Sequence, residues 1–324
     1  MRNRVPARLK RLAKRLLSPV PARLSRNFIR LDRDAMEALR ASILANYLTG
    51  WRSESNYPPE YYAYLVADHL HTGLDGDRHS VIPWLDSVRR LQGLRVLDIG
   101  CGTGSSSVAL AEQGASVTAI DIDEGALQVA KDRCRLHGLE VELLHMNAEA
   151  VARFGANAFD LVSFSGSLEH MTSAERLPAL KGAWDILPPG GQLVVVDSPN
   201  RLWYFDAHTS KLPFYNWLPN DLAFRYSRFS PRENFRELYL ERDPSREEHF
   251  LRRGRGVSFH EFDLALKPAG ELRVASTLNS YAPFILRFLR SDTRHAYKSM
   301  LMSICPGIHE GFFDPTLDLV IQRD

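Results

Sequence analysis

Between Leu94 and Val196 the chain changes its hydrophobic period again and again, and this feature constrains its fold most. β-rich runs at Arg95–Ile99, Ser116–Ile120, Val141–His145, Phe159–Phe164 and Gln192–Val196 alternate with helical stretches at Ser105–Gln113, Glu124–His137 and Ala174–Ile186. A strand that returns to its sheet only after a helix must run parallel to its predecessor, so the pattern predicts an α/β doubly wound fold with a mostly parallel sheet. After Asn200 the alternation stops. Strand-like runs return at Gly256–Phe262 and Leu317–Gln322. Segments 198–256 and 276–314 read as inserts at the active-site edge of the sheet.

Upstream, residues 24–50 read as helix on Leu24, Phe28, Leu31, Leu39, Ile43 and Tyr47, ending near Gly50. A Tyr-rich stretch (Tyr57, Tyr61, Tyr62, Tyr64) then leads into helical patterns up to about Leu91. The expected division is an N-terminal arm and helical cap over 1–93 and a sheet domain over 94–324. Residues 1–30 carry ten Arg or Lys and no acid, which leaves 31 basic against 39 acidic residues elsewhere, a balance of −8. Val5, Leu9, Leu12, Leu16 and Leu17 share one face of the arm and its basic residues the other. Such a helix suits an anionic bilayer surface through residues 1–22, or packs its leucines on its own domain. The expected location is the cytoplasm, at or away from the inner face of the membrane. No apolar run approaches the roughly 18 residues of a spanning helix. Three cysteines far apart suit reduced thiols.

Val96-Leu97-Asp98-Ile99-Gly100-Cys101-Gly102-Thr103-Gly104 is a strand, a glycine turn and a helix start. That junction is where α/β sheets bind ligands. Its G-x-G-x-G spacing is neither the dinucleotide G-x-G-x-x-G nor the phosphate loop, and no Lys follows to hold a phosphate. About twenty residues on, Asp121 ends the second strand, where a carboxylate can accept ribose hydroxyls. Asn147 and Ala148 follow the third strand, where an amide can meet an adenine edge. Together they outline a pocket for a phosphate-free adenosine. Asp123 is expected to cap the next helix and leave Asp121 free.

With these motifs on view, stretch 94–199 resembles class I S-adenosylmethionine-dependent methyltransferases, closest in style to bacterial ubiquinone-type O-methyltransferases. The matching segments are Asp98–Gly104, Asp121, Asn147-Ala148, Ser165–Met171 and Leu187–Gly191. The resemblance implies a seven-stranded, Rossmann-like sheet and S-adenosyl-L-methionine as cofactor. It places Gly100, Cys101, Gly102 and Gly104 against the methionine portion, with Asp98 fixing the loop and the amino group. Asp121 would take the ribose, Ile122 would pack on adenine, Asn147 and Ala148 would read the adenine edge, and Ser165 would follow the fourth strand. Arg78 would pair with the cofactor carboxylate or form a surface salt bridge.

Methyl transfer to an alcohol needs alignment and a base, and histidine is the commonest one. His208, in the aromatic segment after the fifth strand, and His170, after the fourth, are the catalytic candidates. His260 reads as a strand histidine. Mixed charges over 232–253 read as a solvated helix face. No His/Cys/Asp cluster has metal-ligand spacing. Ser165-Gly166-Ser167 replaces the Asn/Asp-Pro-Pro-aromatic motif of amino-methylating nucleic-acid enzymes, which favours O-methylation. Aromatics mixed with Arg201, Asp206, His208, Lys211 and Asn216 suit a polar ring, so a glycan, lipid-linked or other small-molecule hydroxyl is the expected acceptor. The competing readings are an RNA methyltransferase gripping phosphates with its arm, which lacks a recognisable RNA-binding module, and a non-catalytic cofactor-binding protein. The oligomeric state is open.

Overall fold

The computed structural model describes residues 20–233, 235, 236, 250–281 and 292–324. The arm over 1–22 thus lies outside the described residues up to position 19, as do most of 232–253 and the middle of 276–314. Among the described residues one sheet holds seven strands: β1 (Arg95–Ile99), β2 (Ser116–Asp121), β3 (Glu142–His145), β4 (Leu161–Ser165), β5 (Gln192–Pro199), β6 (Arg273–Thr277) and β7 (Thr316–Gln322). Their order is 3-2-1-4-5-7-6. The first five are parallel, and β7 runs antiparallel to both β5 and β6. The chain therefore winds outward from β1 in one direction and from β4 in the other. This leaves a crevice above the carboxyl ends of β1 and β4, the place where doubly wound sheets bind ligands.

Helices cover both faces, which is why β1 and β4 read as nearly continuous apolar runs. Leu97, Ile99, Val162 and Phe164 pack on one side with helix Ser173–Asp185, and Val96, Val108, Leu110 and Val117 fill the other. The seventh strand is β6, not the run at Gly256–Phe262. That run is a helix, Phe259–Ala265, because Ser258 and Glu261 form a capping box in which each side chain bonds the other's backbone N–H. His260 sits on this helix, stacked on Phe259 at 4.1 Å and 3.1 Å from Ser258 Oγ.

The single helix expected over 24–50 is two pieces, Ala22–Ser25 and α1 (Arg33–Ser42), the second continued by a π turn at Ile43–Tyr47. The Asp32 side chain accepts from the Ala35 N–H and starts α1 afresh. Leu39 and Ile43 then bury against Val129 of the helix after β2, Glu124–Leu136. Residues Pro59–Val88 form one run of helix. Its α segments, α2 (Pro59–Ala67), α3 (Gly73–Gly76) and α4 (Ile82–Val88), are joined by π turns at Asp68–Thr72 and Asp77–Val81. The N-terminal region is thereby bound to the sheet domain. Arg78, reserved above for the cofactor or the surface, does neither. It is buried, with Nε 2.9 Å from Glu112 Oε2 and Nη2 2.7 Å from the Ile29 carbonyl. After β5, Leu212, Tyr215, Ala223, Phe235 and Phe250 make a separate small core.

Candidate functional site

At the cofactor end, β1 delivers Asp98 and the glycine turn to the crevice. Gly100 has φ +73°, and a Cβ there would stand 2.5 Å from Ser167 Cβ, so no other residue fits. On the other side, nothing lies within 4 Å of the Cβ direction of Gly102, so the turn presents bare backbone to the crevice. Cys101 is buried beneath it, and burial pushes its thiol pKa upward. Asp98 Oδ2 accepts from Ser106 Oγ (2.6 Å) and Ser107 Oγ (2.7 Å), whereas its buried Oδ1 has no protein partner. Burial raises its pKa.

Asp121 Oδ2 accepts from the Gly102 N–H at 2.8 Å and Oδ1 from the Asp123 N–H at 2.9 Å. The carboxylate is thus fixed, with a lone pair left on each oxygen. Asp123 caps the helix after β2 by accepting from the Ala126 N–H at 3.0 Å. Ile122 is 55% exposed beside it. Asn147 is engaged more fully than expected. Its Oδ1 accepts from the Glu149 N–H and its Nδ2 donates to Glu149 Oε2, so the amide caps a turn of 3-10 helix, while Ala148 is buried. Ser165 ends β4 and, with Asp77 and Ser106, lines a small internal space.

Two contributors were missed because the π turns move residues off the ordinary helical face. His69 places Nδ1 3.3 Å from Thr103 Oγ1, and burial, with Arg133 and Arg52 nearby, brings its pKa down to about 4. Asp77 enters from the next π turn. Removal from water pushes it up to about 8, with Asp98, Asp197 and Asp68 adding repulsion and Arg133 opposing it. Asp197 sits at a bulge in β5 with φ +55°. Asp197 is exposed as a residue, and the protein around its carboxyl still removes water from one side, which with Asp318, Glu169 and Asp68 raises it to about 7. Buried Arg133 ties the turn to the cap, donating from Nε to the Thr103 carbonyl at 2.7 Å and from Nη2 to the His69 carbonyl.

At the acceptor end, His170 and His208 meet at a residue the sequence did not single out. Glu169, 1% exposed, has Oε1 3.9 Å from His170 Nε2 and 4.0 Å from His208 Nε2, and Ser198 Oγ donates to its Oε2 at 3.2 Å. Segment 252–255 runs across all three residues. The Arg252 carbonyl lies 2.7 Å from His170 Nδ1, and the Arg255 N–H donates to the Glu169 carbonyl at 2.8 Å. A carbonyl only accepts, so His170 carries its proton on Nδ1. Thr209 Oγ1 donates to the Arg253 carbonyl at 3.4 Å and stands 3.2 Å from His208 Nδ1. That chain assigns the His208 proton to Nδ1 as well. Both Nε2 lone pairs then face one buried carboxylate. Gly254, at φ +120°, is required here, since a Cβ would stand 2.6 Å from Thr209 Oγ1.

These contacts overturn the solvated-face reading of 232–253 for Arg232, Arg252 and Arg253, while Glu233 stays exposed and pairs with Arg236. Arg252 Nη2 pairs with Glu175 Oε1 at 2.8 Å, Arg232 Nη1 donates to the Thr209 carbonyl at 2.9 Å, and Arg253 hydrogen-bonds Tyr57. Residues 237–249 lie outside the described set. Among the described residues no three His, Cys, Asp or Glu side chains are grouped to hold a metal, and no helix is long and apolar enough to cross a membrane.

A 3-2-1-4-5-7-6 sheet with a bare glycine turn after β1 and an oriented carboxylate after β2 defines the class I S-adenosylmethionine-dependent methyltransferase fold. Residues 96–191 match a family model described as a methyltransferase domain, so this part of the chain is similar to such domains. The ubiquinone biosynthesis O-methyltransferase of Stutzerimonas stutzeri (strain A1501) is 37% identical over 112 residues, covering 35% of this chain and 47% of the relative. That of Ruegeria pomeroyi is 38% identical over 136 residues, covering 42% and 54%. The chain thus spans about half the length of these curated relatives. A solved S-adenosylmethionine-dependent methyltransferase from Methanosarcina mazei is 30% identical over 36% of this chain and 58% of its own, with a TM-score of 0.34.

Proposed function

We propose that this protein transfers the methyl group of S-adenosylmethionine to a hydroxyl of a small-molecule, glycan or lipid-linked acceptor. The observation that carries this reading is the meeting of His208 and His170 at buried Glu169, beside the crevice that holds the glycine turn. Asp121 offers its two remaining lone pairs to the ribose hydroxyls, Ile122 offers apolar surface to the adenine, and the open face of Gly102 admits the methionine portion. Ala148 and Asn147 bound the adenine edge. The unpartnered Asp98 Oδ1, with Asp77 near it, suits a ligand bearing an ammonium and a sulfonium. When bound, the cofactor supplies an electrophilic methyl.

The protein's task is then to align the acceptor and remove its proton. Burial lowers the His208 pKa, which keeps the ring neutral and able to act as a base. Its Nδ1–H is spent on Thr209, so Nε2 takes the acceptor proton. The imidazolium so formed faces Glu169 Oε1, whose charge stabilises it and which acts as a positioning residue. His170, held by the Arg252 carbonyl, packs the other side of Glu169, its ring 6.3 Å from that of His208. Residues 1–22 are read as the peripheral membrane contact that brings the enzyme to such acceptors, supported by their uninterrupted positive charge.

Incubating the protein and S-adenosylmethionine with candidate acceptor pools should yield a product gaining one methyl by mass spectrometry. Release of S-adenosylhomocysteine that never depends on an added acceptor would overturn the reading.

A further inference from the structure

Several solvent-contacting arginines among the described residues are matched to carboxylates: Arg52 to Asp123, Arg252 to Glu175, Arg95 to Asp160. The buried ones without an acid, Arg133 and Arg255, spend their donors on enclosed backbone carbonyls. Arg253 follows neither pattern. It is half-buried, its guanidinium lies 4.8 Å from the Trp51 ring, its hydrogen bond goes to the neutral Tyr57 hydroxyl, and among the described residues no carboxylate pairs with it. A guanidinium has five N–H donors, so most remain unspent.

Arg253 also has company of its own sign. Arg232 lies close enough to repel Arg253, Lys211 and His208 alike. Among the described residues Arg232 and Lys211 donate to the Thr209 and Ala207 carbonyls. The nearby acid, Asp206, is occupied by the backbone N–H groups of His208, Thr209 and Ser210 at 3.0, 3.0 and 2.5 Å. Among the described residues these three cations are accompanied by one carboxylate, Asp206, and such an excess of like charge costs folding energy unless an anion joins it in function. Arginine flanked by aromatics, with free parallel donors, suits a planar or tetrahedral oxyanion in two-point contact.

Position fixes what that anion belongs to. The Arg253 carbonyl ends the hydrogen-bond chain that orients His208, so the residue that carries the guanidinium also anchors the base. We propose that Arg253, Arg232 and Lys211 form an oxyanion subsite for the acceptor, and that the acceptor therefore carries a carboxylate or phosphate close to the hydroxyl that is methylated. This rests on the methyltransferase reading above and narrows its substrate class from polar rings to acidic ones. The aromatic wall, Trp51 and Tyr57, comes from the N-terminal cap, so the cap shapes acceptor choice.

The test is calorimetric titration of the full chain, saturated with S-adenosylhomocysteine, with inorganic phosphate, with D-glucuronate and with D-glucose. Glucuronate or phosphate, but not glucose, should bind, and Arg253→Gln should weaken that binding at least tenfold while S-adenosylhomocysteine affinity stays within twofold. Tyr57→Phe keeps the guanidinium and controls for loosened cap packing. It should retain anion binding, and thermal melts of both variants report folding. Phosphate discriminated from glucuronate would tell a phosphorylated acceptor from a carboxylated one. Equal anion binding by wild type and Arg253→Gln, or by neither, overturns the subsite and leaves the methyltransferase reading intact. Absence of S-adenosylhomocysteine binding to the wild type overturns that reading instead, while the anion arms, which need no turnover, still decide the subsite.

Discussion

The two ends of this site are charged in opposite senses. The floor beneath the glycine turn gathers Asp77, Asp98 and Asp197, all with carboxyl pKa values driven up. The mouth above His208 gathers Arg253 and Lys211, whose pKa values are driven down, beside Arg232. Asp77, Asp98, Asp197, Arg253 and Lys211 are each shifted toward neutrality, mainly by desolvation, with neighbours of like charge adding to it. Such crowding is relieved by a ligand of the other sign. A floor of that kind suits a cationic donor, and a mouth of that kind suits an anionic acceptor. β1, β5 and a π turn of the N-terminal cap build the first; the insert after β5 and the same cap build the second.

The sharpest way to separate the two ends is at the base. His208→Ala should lower kcat roughly a thousandfold, in the range of general-base removal, with S-adenosylhomocysteine affinity unchanged by calorimetry. Parallel loss of affinity would mean the ends are not independent. Asp121→Ala should do the reverse, weakening S-adenosylhomocysteine about a hundredfold through two lost charge-assisted hydrogen bonds, with the circular dichroism spectrum kept. An unchanged dissociation constant would remove Asp121 from the pocket. Glu169→Gln should cost about tenfold in kcat. The negative charge of Glu169 raises the His208 pKa, so the acid limb of the kcat/KM profile should also move to lower pH. A profile that does not move would reduce Glu169 to packing.

The smallest effect concerns pH. Asp77, folded at about 8 against an ordinary 3.8, favours its protonated form in the ligand-free protein. Its contribution to stability is complete at acid pH and is lost as pH rises toward 8. A cationic ligand prefers the carboxylate, so S-adenosylmethionine affinity should climb several-fold across that interval, up to about tenfold for each unit of pKa shift. Binding should release protons, measurable in buffers of different ionisation enthalpy. Asp77→Asn should flatten the dependence, and an equally steep curve in that variant would assign it elsewhere.

What could be read from the chain was local. The glycine turn, the Asp121 carboxylate and the Asp123 cap each depend on residues within a few positions of one another, and the structure places them at β-strand ends as the pattern requires. The helix at Phe259–Ala265 was legible too, but the period-2 run Val257-Ser258-Phe259-His260 hid the Ser258–Glu261 capping box. The acceptor side was not legible. Glu169 meets His208, the Arg252 carbonyl meets His170 and the Arg253 carbonyl meets Thr209 only through the fold, far apart in sequence, and mixed charge gave no sign that Arg253 turns inward. Asn147 looked like a free amide because its bond to the Glu149 N–H uses only its own neighbour.

The run of helix from Pro59 to Val88 carries a last consequence. Each π turn fits an additional residue into the coil, and one residue of α-helix spans about 100° of rotation. Asp68–Thr72 and Asp77–Val81 therefore act as two phase shifts in one rod, aiming His69 at Thr103 and Asp77 at the floor while α4 keeps its apolar face on the sheet. Excising a single residue from either turn would give a more regular rod and a misaligned one. Length, not composition, is what this stretch has to conserve: natural variants should exchange side chains here freely outside the aimed positions, yet tolerate single-residue insertions or deletions only in pairs that cancel.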